Sequence, residues 1–156
     1  MSNGDLLRPT LSDYRKPPAL YHPTGFFVSA FFGGPVGAGV YAGANAWRLG
    51  RLWRDLPVIL CIVAGAFLVM LELQRAGALD ALAGWLGGSS TRNLGLFMRA
   101  LGMACFGAIY FLHRAFYRAA RVSGLKPLPG WVPGIAAVAL GMATNTAFAT
   151  WFIAHH

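Results

Sequence analysis

Charge is what this sequence has least of. Of 156 residues only 12% are charged, about half the share usual in soluble domains, and five acidic residues stand against thirteen Lys and Arg. No water-facing surface can be assembled from so few charges, which excludes a soluble enzyme and a disordered acidic regulator. Cysteine is nearly as sparse. Cys61 and Cys105 both fall inside apolar runs and are too few for a disulfide framework, so they read as packed thiols. Catalytic and cofactor motifs are missing as well: there is no His-Glu-x-x-His, no Gly-x-Ser-x-Gly and no Gly-x-x-x-x-Gly-Lys. His22, His113, His155 and His156 sit at the ends of apolar runs or beyond them, and there is no Cys-x-x-Cys-His, so neither haem nor metal is expected. Asp55, Glu72 and Asp80 are spread over different connectors, which leaves a paired-carboxylate acid and base unsupported. No catalytic residue and no cofactor are expected.

What the sequence has in abundance is apolar residues, 56% of the chain. A membrane-spanning helix needs about 20 of them in a row. Four runs approach that length: Gly25 to Trp47, Leu56 to Leu71, Leu94 to Leu112 and Trp131 to Ala154. They lack the two-residue alternation of barrel strands, and backbone in hydrocarbon must satisfy its own hydrogen bonds, so the runs predict helices. The expected fold is all-α, a polytopic membrane protein built as a bundle of four transmembrane helices over about 25–47, 56–73, 94–121 and 131–154. Residues 1–24 read as a polar tail without a secretory signal, since Asp5, Arg8, Asp13, Arg15 and Lys16 are interspersed with four prolines. Between the second and third helices, Ala76, Leu79, Leu82, Trp85 and Leu86 recur at helical spacing and predict a short amphipathic helix on the membrane surface, ending at Gly87-Gly88-Ser89-Ser90. From His113 the third helix is expected to continue into water for about two turns.

Basic residues mark the cytoplasmic side of a membrane protein, so their distribution bears on topology. With four spanning helices the sides carry seven and five of them, a weak bias toward termini outside. The first run also contains Phe31-Phe32-Gly33-Gly34-Pro35 near its middle, where Pro35 removes a helical donor and the glycines permit a sharp bend. If the run turned back there, ten basic residues would face two. Because Pro and Gly are common in spanning helices, where they kink the chain, a kinked spanning helix is the preferred reading and a re-entrant hairpin the alternative.

A few polar groups fall inside the runs, where they are costly. Glu72, Arg99, Thr144, Asn145 and Thr146 form a possible intramembrane polar site, and antiparallel neighbours would bring Glu72 and Arg99 to the same side. The simpler alternative has Arg99 reaching headgroup phosphates and Glu72 ending its helix. Small residues line two helix faces, through Gly33, Gly37, Gly39 and Gly43 on the first run and through Gly134, Ala137 and Gly141 beside Asn145 on the fourth. Such faces allow close helix contact, within the chain or with a partner. Two arginine stripes, Arg48, Arg51, Arg54 and Arg114, Arg118, Arg121, leave the membrane at helical spacing. They are expected to meet lipid phosphates; nucleic acid is not expected.

Phe31-Phe32-Gly33-Gly34-Pro35, a run of small residues and Asn45-Ala46-Trp47-Arg48-Leu49-Gly50-Arg51 together resemble a segment of uncharacterised small bacterial multi-pass inner-membrane proteins, in which an aromatic-Gly-Gly-Pro helix leads into Asn-x-x-Arg-Leu-Gly. The resemblance covers about 21 residues, implies a bacterial inner-membrane location and brings no activity with it. The expected role is that of a non-catalytic accessory, assembly or scaffold subunit, with membrane lipids and other subunits or a second copy as partners. A small homo-oligomeric transporter or channel is the alternative, and a membrane enzyme acting on a lipid-like substrate is the third.

Overall fold

The computed structural model describes residues 19–86, 90–124 and 126–155. Arg8, Arg15 and Lys16 of the tail, the Gly87-Gly88-Ser89 turn, and the side chains of Leu79, Leu82, Leu86 and Arg92 lie outside the described part. The described chain is all-helical: α1 Pro23–Arg48, α2 Leu52–Arg75, α3 Ala78–Leu86, α4 Ser90–Val122 and α5 Trp131–His155. Four of these, α3 excepted, are long and apolar enough to cross a membrane. The sequence placed all four, and the short α3 falls on the amphipathic stretch. Its limits were tight at α2, which begins at Leu52 and so takes in Asp55 as part of its first turn.

Although α1 has the length and composition of a span, it does not run straight. Gly34 has φ 62° and ψ −154°, a conformation open in practice to glycine alone, and Pro35 follows it. The chain reverses at that point. In a continuous helix Phe26 and Tyr41 would be about 22 Å apart along the axis, yet their rings stack with centroids 5.4 Å apart and planes inclined by 7°. Tyr41 Oη donates to the carbonyl of His22 at 2.8 Å, and the Tyr21 amide donates to Asn45 Oδ1 at 3.0 Å. The first run is therefore a re-entrant hairpin of two antiparallel arms, and the preferred reading of a spanning helix is corrected. The all-α four-helix bundle stands, with α1 as its folded centre.

A second, independent contact agrees. Tyr21 pairs as an isolated bridge with Leu128 in the α4–α5 connector, through His22 N–H to Leu128 O at 3.0 Å and Leu128 N–H to Leu20 O at 2.9 Å. Had α1 crossed the bilayer, these segments would lie a membrane thickness apart, about 30 Å. Both ends of α1 thus share one end of the bundle with the α1–α2 and α4–α5 connectors. Gly50, with φ 66°, closes the first of these turns, donating to Trp47 O while the Arg51 amide donates to Ala46 O, both at 2.9 Å.

The other helices are arranged around the hairpin. α1 is more than half buried, whereas α2 and α5 bury only 11% and 17% of their apolar windows. The small residues explain how the hairpin fits. A Cβ at Gly141 would collide with the backbone of Gly33, and one at Gly102 with Ala30 O and Gly34, so α5 and α4 press directly onto the hairpin tip. Phe26, Ala30, Tyr41, Ile59, Ile109 and Ala137 make up the core. The five tryptophans mark two levels. Trp47, Trp53 and Trp131 are exposed at the end that carries the connectors, and Trp85 and Trp151 at the opposite end, the arrangement of interfacial aromatic belts. The chain is a multi-pass membrane protein whose outer helix faces contact lipid.

Candidate functional site

Among the described residues two polar regions lie within the bundle, one at the connector end and one at the hairpin tip. At the connector end the first turn of α2 brings Asp55 against α4, where His113 Nε2 lies 3.2 Å from Asp55 Oδ2. Both residues are buried, at 6% and 5% exposure. Arg51 approaches the other carboxylate oxygen at 3.7 Å and stacks its guanidinium over the Phe116 ring, 4.6 Å from the centroid. An acid and an imidazole at this distance can move a proton or hold two helices together. Among the described residues no hydroxyl or thiol is hydrogen-bonded to either.

This pair was missed by sequence reasoning, which placed Asp55 in a connector and His113 at the start of a water-exposed extension. His113 is buried because α4 remains packed on the hairpin past the end of its apolar run. The 58-residue separation carries no periodic signal. The one available hint was that both residues fall at ends of apolar runs on the same side.

Nearby, Asn45 is buried and joins three segments, accepting from the Tyr21 amide and donating from Nδ2 to Tyr117 Oη at 3.2 Å. Arg48 donates to Ala19 O at 3.2 Å and to Tyr21 Oη at 3.3 Å. Of the two stripes expected at lipid phosphates, Arg48 and Arg51 are thus also engaged within the chain. Arg114 lies over its neighbour Phe111, 4.0 Å from the ring centroid, while Arg54, Arg118 and Arg121 are exposed.

At the hairpin tip Asn145 Nδ2 of α5 donates to Gly33 O at 3.4 Å. The Oδ1 of the same carboxamide is buried with no hydrogen-bond partner among the described residues. Beside it a cavity of about 400 Å³ opens between α4 and α5, lined by Phe32, Met98, Arg99, Asn145, Thr146 and Thr150. Arg99 lies over the Phe31 ring, 5.4 Å from its centroid, and forms no ion pair among the described residues. Glu72 and Arg99 form no ion pair with each other among the described residues; Glu72 bonds Arg75 one turn along its own helix at 2.8 Å. Thr144 and Thr146 donate their hydroxyls to Leu140 O and Met142 O, both at 2.9 Å.

The two smooth faces meet each other. Gly33 lies against Ala137, Gly37 against Ser29 of the other arm, Gly39 against Val63, and Gly141 against Gly33; Gly134 faces Ser29, whose Oγ also approaches Gly134 O at 3.4 Å. Only Gly43 of that set has open space around it. Among the described residues, no three His, Cys, Asp or Glu side chains gather closely enough to hold a metal ion. No protein-family model matches the sequence, and no curated protein and no solved structure is similar to it.

Proposed function

We propose that this chain is a non-catalytic accessory, assembly or scaffold subunit of a larger complex in the bacterial inner membrane. The observation that carries the proposal is on α2. Cys61 and Gly65 lie one turn apart on the helix; Cys61 is exposed, and Gly65 is half-buried with nothing within 4 Å of its Cβ position. A small-x-x-x-small pair open to the membrane lets a partner helix approach closely. Gly33, Gly37, Gly39, Gly102 and Gly141 are already met by the chain itself, and the buried polar groups at the connector end tie segments together. Seven basic residues, Arg48, Arg51, Arg54, Arg114, Arg118, Arg121 and Lys126, share the connector end, against Arg75 and Arg92 at the other. The positive-inside rule assigns the connector end to the cytoplasm.

Cys61 itself supplies the test. Oxidative or bismaleimide crosslinking in native membranes is expected to capture a distinct membrane protein, identified by mass spectrometry, and Cys61→Ala is expected to abolish the product. A monodisperse, uncrosslinked chain removes the basis of the reading. A product containing only a second copy favours the other reading, a small homo-oligomeric transporter or channel. That reading is supported by the broken backbone at Gly34 and, among the described residues, by the unpartnered Asn145 Oδ1 and the unpaired Arg99 beside one cavity. It predicts solute flux in proteoliposomes that falls in Asn145→Leu and Arg99→Gln, and flux indifferent to both variants counts against it.

A further inference from the structure

Two cavities share His22 at the start of α1, and their linings are of opposite character. One, of about 390 Å³, lies between the beginning of the hairpin and the end of α4, and His22, Tyr110, Tyr117, Arg121 and Lys126 contribute its polar groups. The other, of about 660 Å³, lies between the first arm of the hairpin and α5. Apart from His22 and Thr24 it is apolar, with Val28, Phe32, Ile135, Val138 and Met142 along it. His22 lines both.

The polar cavity presents donors and cations. His22 Nδ1 accepts the Thr24 amide at 3.2 Å, which leaves the proton of the neutral ring on Nε2 as a donor. Tyr117 Oη accepts from Asn45, leaving its own O–H to donate. Arg121 and Lys126 add two cations, neither in an ion pair among the described residues. Of the described carboxylates only Asp55 lies at this end of the bundle, and it is buried against His113. Among the described residues nothing acidic lines the cavity. A phosphate group suits this set, because two cations and two neutral donors can meet its oxygens without a competing anion.

The apolar groove suits a hydrocarbon chain. It runs from His22 at the interface past Phe32, beside the hairpin tip, to Met142, more than two turns inside α5. We propose that the two cavities together form a binding site for one anionic phospholipid. Its phosphate lies between His22, Tyr117, Arg121 and Lys126, and one of its acyl chains fills the groove between the hairpin and α5. The site differs from a general attraction of basic stripes to the bilayer, which would treat all exposed arginines at this end alike. It also does not depend on a protein partner.

The full-length protein in detergent, supplied with equimolar phosphatidylglycerol and phosphatidylcholine of the same chains, is measured by native mass spectrometry. The anionic lipid is expected to be retained about tenfold more than the zwitterionic one. Arg121→Gln with Lys126→Gln is expected to bring the ratio near one, while Arg54→Gln with Arg118→Gln, which removes the same charge outside the cavity, preserves most of it. Ile135→Trp, which fills the groove, is expected to lower retention of the anionic lipid severalfold, and millimolar sn-glycerol 3-phosphate is expected not to displace that lipid. Thermal melts establish that each variant is folded; if Ile135→Trp fails to fold, Val138→Leu takes its place. Equal loss of preference in the two double variants reduces the effect to a charged surface and overturns the proposal. Retention unchanged by narrowing the groove, or full displacement by glycerol phosphate, overturns it by removing the acyl chain from the site.

Discussion

Asp55 and His113 illustrate how a single pair can tie helices that the sequence keeps far apart. Each is nearly inaccessible, and each is the other's closest polar partner, with Arg51 completing the cluster. Removing one member leaves the other buried without its bond, a loss on the order of 3 kcal/mol. Because the two act as a unit, their effects are not additive. A double-mutant cycle with Asp55→Ala and His113→Ala, followed by denaturant unfolding in micelles, is expected to give a coupling of about 1–3 kcal/mol. Additive losses would show that the two side chains pack independently.

The hairpin is the element on which the rest depends. Its reversal rests on Gly34, whose backbone conformation penalises any Cβ, and on the absence of side chains at Gly102 and Gly141 where α4 and α5 meet the tip. Gly34→Ala is expected to lower stability by about 1–3 kcal/mol through backbone strain. Gly141→Leu inserts a side chain against the Gly33 backbone and is expected to cost at least as much, since neither backbone can yield as a flexible side chain would. Gly43→Ala, with open space around the new methyl, is expected to be neutral or to stabilise by roughly 0.5–1 kcal/mol. Thermal melts in one detergent order the three. If Gly43→Ala proved as damaging as Gly141→Leu, close backbone approach would not be what fixes the tip.

For the whole molecule the hairpin changes the topology. With α1 folded back, α2, α4 and α5 remain as unreversed helices long and apolar enough to cross, and the connector end gathers most of the described basic residues. Single cysteines at Ala19, Gly50 and Gly124, in a chain carrying Cys61→Ala and Cys105→Ala, are expected to react with an impermeant maleimide from the same side of the membrane. A cysteine at Gly77 is expected to react from the other. Labelling of positions 19 and 50 from opposite sides is incompatible with the re-entrant hairpin.

Helix type and the four long apolar helices were legible in the sequence, because solvation in hydrocarbon demands long apolar runs and internally satisfied backbone, and both leave linear traces; α2 and α4 begin four residues earlier than their apolar runs suggest. The break at Gly33-Gly34-Pro35 was legible too, and so was the polar character of Arg99 and Asn145. Whether the break kinks the chain or reverses it was not, because Gly-Gly-Pro permits both outcomes at similar local cost. The tertiary structure decides it through contacts between positions distant in sequence: Phe26 with Tyr41, Tyr21 with Leu128, Gly33 with Gly141. The Asp55–His113 pair belongs to the same class. The sequence by itself determined which segments enter the membrane; packing determined which of them turns back and which polar groups meet, since those depend on the energy of contacts that no local pattern contains.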